Sequence, residues 1–224
     1  MDYEFFRDGL LLFDKYTFSK EKNFETISGV YKLNRVVNEI VYLAKFKIVV
    51  IINTKDKNDI PVVYLPKIVK PKGFSHIYQD DRCCLGLNYE IELLWNKNRT
   101  FVNFLLNIVD PFLVNYLSYN ESKTYINGDR PHAQSGVIDY YSKFFPTIPL
   151  ENINNTLIYC FDRVSRKEFV RGNNPCPCGS GKIIRRCLHK KELESFVNLA
   201  SSTTQLRSAF LKDMKNIGGH NAQI

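Results

Sequence analysis

The sequence predicts an α+β fold, in which a run of strands is followed by a run of helices. Three observations carry this reading. In residues 40–52, Phe46, Ile48, Val50 and Ile52 fall on one face and Lys45 and Lys47 on the other, the period of a strand. Between residues 101 and 117, Phe101, Phe104, Leu105, Ile108, Phe112, Leu113, Tyr116 and Leu117 recur with the period of a helix, the strongest helical signal in the chain. The C-terminal part then carries two further apolar stripes, Leu193, Phe196, Val197 and Ala200, and Leu206, Phe210, Leu211 and Met214, the second stopped by Gly218-Gly219.

Taken in order, residues 3–20 read as an amphipathic helix, with Phe6, Leu10 and Phe13 on one face and Asp2 as cap. Residues 29–33, 40–52 and 60–65 read as an antiparallel meander, and Asn53–Asp59 as a polar turn. Beyond Lys47 the second strand is apolar on both faces, as in a strand covered by helices. Pro61 and Pro66 stand at the margins of the third strand, where a missing N–H matters least. Residues 87–94 show no decisive period, and Trp95 reads as a core anchor. Pro111 interrupts the helical run at 101–117, so the sequence predicts a kink there or a second helix capped by Asp110. Residues 125–132 read as a loop and 137–145 as a short aromatic-rich helix, and Pro146-Thr147-Ile148-Pro149 marks a boundary. Two domains follow, residues 1–147 and a small helical extension at 148–224, with Cys160 a buried, inert thiol in the second.

The chain of 224 residues is long enough to bury a core without disulfides. The longest wholly apolar run, Ile48–Ile52, is only strand-sized, so no membrane span is expected, and Met1-Asp2-Tyr3-Glu4 does not begin a secretory signal. A cytoplasmic, reducing location is the expectation, and the six cysteines then read as thiols or metal ligands. The formal charge of +8 belongs to one segment. Residues 163–191 hold nine Lys/Arg against the single acid Glu168, while the flanking parts balance. That segment suits an acidic protein surface or nucleic acid. The expectation is a protein partner, with no aromatic platform interleaved among the charges.

The chain is organised around Phe74–Gly86, a polar, turn-rich stretch holding His76, Tyr78, Cys83 and Cys84. A partly exposed thiol in such a stretch can be deprotonated and act as a nucleophile. The run His76-Ile77-Tyr78-Gln79-Asp80-Asp81-Arg82-Cys83-Cys84-Leu85 resembles the active-site run of bacterial ubiquitin-conjugating-like (UBC-like) proteins, in which a histidine precedes a Cys-Leu pair across a short turn and the cysteine carries a thioester. Trp95, Gly128-Asp129, His132 and Gly136 extend the resemblance, which covers roughly residues 1–147. It implies a UBC-like α+β domain with Cys84, not Cys83, as nucleophile, and with His76, Tyr78 and His132 as further site residues. The family's eukaryotic branch has His-Pro-Asn where this chain has His76-Ile77-Tyr78.

The most specific motif is Arg171-Gly172-Asn173-Asn174-Pro175-Cys176-Pro177-Cys178-Gly179-Ser180-Gly181-Lys182, completed by Cys187-Leu188-His189. Three closely spaced thiolates plus a terminal Cys or His suit tetrahedral zinc. The glycines let the backbone turn and direct N–H groups toward the sulfurs. Gly179-Ser180-Gly181-Lys182 lacks the spacing and preceding strand of a phosphate loop. The run resembles the SEC-C motif, best known from the tail of the Sec translocase motor ATPase, where a zinc knuckle docks a chaperone and the ribosome. The usual fourth ligand directly follows the third cysteine. Leu188 holds that position here, so His189 is the expected fourth ligand beside Cys176, Cys178 and Cys187, around a structural zinc.

The resemblance implies a transferase that takes a carrier's C-terminal carboxylate as a thioester on Cys84 and passes it to an amine. UBC-like proteins of this architecture look like those of bacterial anti-phage operons built around a cyclic-oligonucleotide synthase. That synthase is then the expected donor or conjugated partner, and the reactive carboxyl comes either from a separate activating enzyme or from an already reactive species. The competing expectations are a non-catalytic adaptor, a nucleic-acid-binding protein acting through residues 163–191, and a thiol hydrolase using Cys84 with His76 or His132.

Overall fold

Residues rich in β-branched and aromatic side chains become two long strands, β2 (Phe24–Val37) and β3 (Ile40–Asn53), paired antiparallel from Phe24↔Asn53 to Val37↔Ile40. Asn38 and Glu39 close this hairpin with φ of 49° and 66°, the left-handed pair of a tight two-residue turn. β1 (Phe13–Lys20) flanks β2 and β4 (Val62–Tyr64) flanks β3, giving an antiparallel sheet in the order β1-β2-β3-β4. The computed structural model describes residues 3–55, 59–126, 128 and 133–218. The α+β class is as expected.

The chain divides into two compact units, Met1–Gly86 with Leu93–Asp129, and Leu87–Glu92 with Arg130–Ile224. The expected boundary at 147 falls inside the second unit, whose longer stretch begins at Arg130. The short helix α5 (Ala133–Ser142) belongs to the second unit, because Tyr141 packs its ring on Phe196 and Phe210 there. The division also runs through helix α2 (Asn88–Lys97), a helix for which the sequence shows no decisive period.

In the first unit one face of the sheet is buried through Tyr31, Leu33, Phe46, Ile48 and Val50. Fully burying such a side chain contributes about 2–3 kcal/mol relative to exposure. The other face of β3 is only partly covered, since Val49 and Ile51 are half-buried and Lys45 and Lys47 exposed. The helix expected across 3–20 is half helix and half strand: α1 spans Tyr3–Leu10 and β1 begins at Phe13. Phe6, Leu10 and Phe13 are all buried, but the third side chain arrives from the strand. Tyr16, Thr17 and Phe18 favour the sheet, and pairing with β2 outweighs a helical pattern of three residues. α1 also packs against α3 (Phe101–Phe104), and a Cβ on Gly9 would lie 2.4 Å from the Phe101 ring, so only glycine permits this approach.

α3 runs without a break through a π-helical turn, Leu105–Val109, into α4 (Asp110–Ser122). Pro111 does fall in the first turn of a second helix, but Asp110 is not its cap: it is buried, accepts the Tyr31 hydroxyl at 2.5 Å and pairs with Arg35 Nε at 2.5 Å. The wide turn has a visible cause. In a π-turn the carbonyl of Leu106 would bond the N–H of residue 111, which proline lacks, and Arg35 Nη2 donates to that carbonyl instead. The continuous run Phe101–Ser122 is long and apolar enough to cross a membrane, but 61% of its apolar 18-residue stretch is buried in the fold.

The second unit is helical: α5, a 3₁₀ turn at Leu150–Asn152, α6 (Ile153–Arg166), α7 (Lys190–Ser201) and α8 (Thr204–Gly218). Its core gathers Tyr89, Tyr141, Phe145, Leu157, Leu193, Phe196, Leu206 and Phe210. Cys160 on α6 is fully buried there and its pKa is pushed up by burial. Arg207 of α8 donates to the carbonyls of Val164 and Ser165 at 2.8 and 2.7 Å, at the end of α6, where Val164 also accepts the Lys167 N–H.

Candidate functional site

The cysteine segment folds as a small hairpin stitched to the edge of the sheet. Ile77 bridges antiparallel to Cys83, the Tyr78 N–H donates to Arg82 O at 2.9 Å, and the Asp81 N–H returns to Tyr78 O at 3.1 Å. Asp81 takes φ 67°, which lets the chain reverse within four residues. The returning strand is held on β4: Cys83 N–H donates to Val63 O at 2.8 Å, and Leu65 N–H donates to Asp81 O at 2.9 Å.

This arrangement separates the two thiols by function. Cys83 is 7% exposed, and burial, with the neighbouring Cys84 and Asp81 charges, pushes its thiol up to about 12. Cys84 is half-buried, with its N–H bonded to His76 O at 2.8 Å. Tyr78 is 45% exposed. The neighbouring Cys84 thiol, followed by burial, raises the tyrosine pKa above its ordinary value. The Arg82 guanidinium lies over the Tyr78 ring, 4.5 Å from its centroid.

The His76 ring packs edge-on against Phe74 at 5.5 Å and Tyr125 at 5.4 Å, so its observed tie to Cys84 runs through its backbone carbonyl. Trp95 is buried against Phe104 and Phe5, as a core anchor. His132 and Asp129 lie outside the described residues, while Gly128 has φ 83°.

In the second unit the knuckle is built by a short ladder. Pro175 bridges to Ile183, Cys176 N–H donates to Lys182 O at 2.8 Å, and Ile184 N–H donates to Asn174 O at 2.9 Å. The turn between these strands needs glycine, since Gly179 and Gly181 have φ of 79° and 71°. A 3₁₀ turn, Ile184–Arg186, then swings Cys187 back toward Cys178, and His189 stands at the start of α7.

Cys176, Cys178, Cys187 and His189 are all buried, and their donor atoms lie within 4.8 Å of one another, so the four could hold a metal ion. Tetrahedral zinc with ordinary bond lengths needs sulfurs about 3.7 Å apart and sulfur about 3.5 Å from nitrogen. Cys178 Sγ is 3.5 Å from Cys187 Sγ, and Cys187 Sγ is 3.4 Å from His189 Nδ1, so the set fits with little adjustment.

A supporting layer orients the ligands. His189 Nε2 lies 3.0 Å from Thr147 O, which as an acceptor makes Nε2 the protonated nitrogen and leaves Nδ1 for the metal. Thr147 is in turn held by Glu192 of α7, through its hydroxyl at 2.8 Å and its N–H at 3.3 Å. Ser180 Oγ is 3.1 Å from Cys178 Sγ and 3.6 Å from Cys187 Sγ. Burial opposes ionisation of Cys187, but the His189 amide, the Ser180 hydroxyl and the neighbouring thiols outweigh it and bring the thiol down to about 6. Sequence reasoning misses Thr147 and Glu192. Thr147 acts through its carbonyl, which every residue has, and stands 42 residues from His189.

The basic segment is partly neutralised. Arg163 is buried and pairs with Asp162 and Glu168, Arg166 pairs with Asp162, Arg171 with Glu168 and Lys190 with Glu194. Among the described residues, exposed Lys182, Arg185, Arg186 and Lys191 have no acidic partner, and Leu188 stands among them at 74% exposure. Phe169, 81% exposed, corrects the expectation of a segment free of aromatic platforms. No family model, curated protein or solved structure matches this chain.

Proposed function

We propose that this protein is a ubiquitin-conjugating-like transferase that carries a partner's C-terminal carboxyl group as a thioester on Cys84 and passes it to an amine. One observation carries the reading: on the hairpin at the sheet edge the Cys84 thiol is half-buried, with the exposed Tyr78 in the same hairpin, while the adjacent Cys83 thiol is buried. The resemblance of the 76–85 run to bacterial UBC-like proteins supplies the reaction class. In the first step the Cys84 thiolate attacks the carbonyl carbon of an activated acyl group, an acyl adenylate or an acyl thioester delivered by a separate activating enzyme. The C–S bond forms and the adenylate or donor thiol leaves. In the second step an amine attacks the thioester, the C–N bond forms, Cys84 departs as thiolate and the amine's proton passes to a base or solvent.

Both steps build negative charge on the carbonyl oxygen, which a preorganised donor stabilises. The N–H groups of Cys83 and Cys84 are already bonded to Val63 O and His76 O. The Tyr78 hydroxyl is therefore the donor we assign to that oxygen, in place of the amide the eukaryotic branch uses. The cyclic-oligonucleotide synthase remains the proposed target, in bacterial anti-phage defence. In the second unit we assign a structural zinc to Cys176, Cys178, Cys187 and His189, because four protein ligands leave no open position for catalysis. The unpaired cations around Leu188 suit an acidic protein surface as the docking partner.

Intact-mass analysis of the protein, purified with a co-expressed synthase and activating enzyme, tests the reading. A thiol-sensitive adduct is expected on the wild type, a thiol-resistant ester on Cys84→Ser, and none on Cys84→Ala. Cys83→Ala should be mild. Tyr78→Phe should slow transfer by about tenfold or more. Full conjugation by Cys84→Ala would end the catalytic assignment and leave a non-catalytic adaptor.

A further inference from the structure

In the second unit, the end of α6, the end of α7 and the start of α8 enclose a half-open cleft of about 460 Å³, within the size range of small-molecule sites. Buried Val197 lines it, and so does Phe169, at 81% the most exposed aromatic side chain among the described residues. A single exposed ring is ordinary on a surface, but this one lines a cleft whose polar groups are also open. Among the described residues, the Lys167 ammonium, the Asn198 amide and the Ser201 and Thr204 hydroxyls of the cleft have no hydrogen-bond or ionic partner. The other two hydroxyls there are engaged: Ser202 Oγ donates to Leu199 O at 2.8 Å, and Thr203 Oγ1 accepts the Leu206 N–H at 3.1 Å. The cleft is cationic, since Arg207 keeps its charge while donating to Val164 O and Ser165 O, and the Glu168 carboxylate is held by Arg163 and Arg171.

We infer that this cleft is a binding site for a nucleoside monophosphate. Each part of such a ligand has a matching group on the lining. Phe169 offers a face on which a base stacks, whatever its identity. Lys167 and Arg207 favour the phosphate. Between ring and charge, Asn198, Ser201 and Thr204 supply donors and acceptors for sugar hydroxyls. A peptide with one aromatic and one acidic side chain is the competing occupant, and the run of four hydroxyl side chains at 201–204 favours the sugar-bearing ligand. The cleft shares no residue with the Cys84 hairpin or with the Cys176–His189 cluster, so this inference stands apart from the transferase reading.

Equilibrium dialysis of the full-length protein against AMP, adenosine and inorganic phosphate tests the inference. AMP should fill one site per chain with a Kd below about 1 mM, and adenosine and phosphate should each bind at least about tenfold more weakly. Phe169→Ala and Lys167→Met should each weaken AMP by about fivefold or more, through lost stacking and lost charge. Both side chains are exposed, so neither substitution disturbs the core. The pair Arg185→Glu/Arg186→Glu should leave AMP binding unchanged, which separates the cleft from the cations around Leu188. Absence of saturable AMP binding would overturn the inference, as would wild-type affinity in either cleft variant or adenosine binding as tightly as AMP. Tighter binding of the peptide acetyl-Glu-Phe-Glu than of AMP would also overturn it and assign the cleft to a protein partner.

Discussion

Asp213 has no exposed surface, yet its carboxylate accepts hydrogen bonds from Asn88 N–H at 2.9 Å, Asn88 Nδ2 at 2.7 Å, Tyr89 N–H at 3.0 Å and the Tyr141 hydroxyl at 2.9 Å. Two of these donors are the first N–H groups of α2, so a side chain from α8 supplies the cap that the sequence around residue 87 lacks. Asp213→Ala should cost about 3 kcal/mol in urea unfolding, because buried donors lose their acceptor. Burial raises this carboxyl above its ordinary 3.8, against the pull of the Tyr89 amide, the Asn88 side chain and Tyr141. The folded protein therefore holds the proton more tightly than the unfolded chain. The linked stability is fully present below pH 3.8 and is lost as pH rises through the raised value. Between about pH 4 and 7, Asp213→Asn should lose less stability than the wild type. Equal changes in urea midpoint would mean that burial does not control this group.

At the scale of elements, the turn Leu105–Val109 depends on a partner from the sheet. Arg35 fills the Leu106 carbonyl that Pro111 leaves open and neutralises Asp110 in the same reach. Arg35→Met should cost about 2–4 kcal/mol by leaving a buried carboxylate unpaired. A variant adding Pro111→Ala should recover part of that loss, since residue 111 then regains an N–H for the helix. Chemical denaturation of both proteins measures the difference, and no recovery would separate the π-turn from the proline. The metal site obeys the same logic of supply from a distance. His189→Ala should weaken zinc at least tenfold in competition with a chromogenic chelator, because it removes one donor of four. Retention of wild-type affinity would remove His189 from the ligand set.

For the whole molecule, the two units answer to different stabilising terms. The sheet unit has a buried face and a long helix, whereas the 172–189 knuckle holds few apolar side chains besides Ile184, and on the proposed reading a metal held by Cys176, Cys178, Cys187 and His189 stabilises it. Chelation, or Cys178→Ser, should abolish amide-exchange protection in the knuckle while the β2 and β3 amides keep theirs. Elemental analysis should find one zinc per chain, and a metal-free protein with a protected knuckle would refute the assignment.

The features legible in the chain alone are local: the alternation of β3, the stripes of α4, α7 and α8, and the cluster of Cys176, Cys178, Cys187 and His189. In each case the decisive neighbours lie within a few turns of chain, so periodicity or spacing reports them. What only tertiary structure decided rests on partners far apart in sequence. Phe13–Lys20 became a strand because β2 offered it a ladder, and α2 formed with its cap 125 residues away. The π-turn found Arg35 about 70 residues upstream, and His189 found the Thr147 carbonyl 42 residues away. Cys83 and Cys84 are chemically identical in the sequence. Their difference arises from the hairpin's register on β4, which buries Cys83 and leaves Cys84 half-buried.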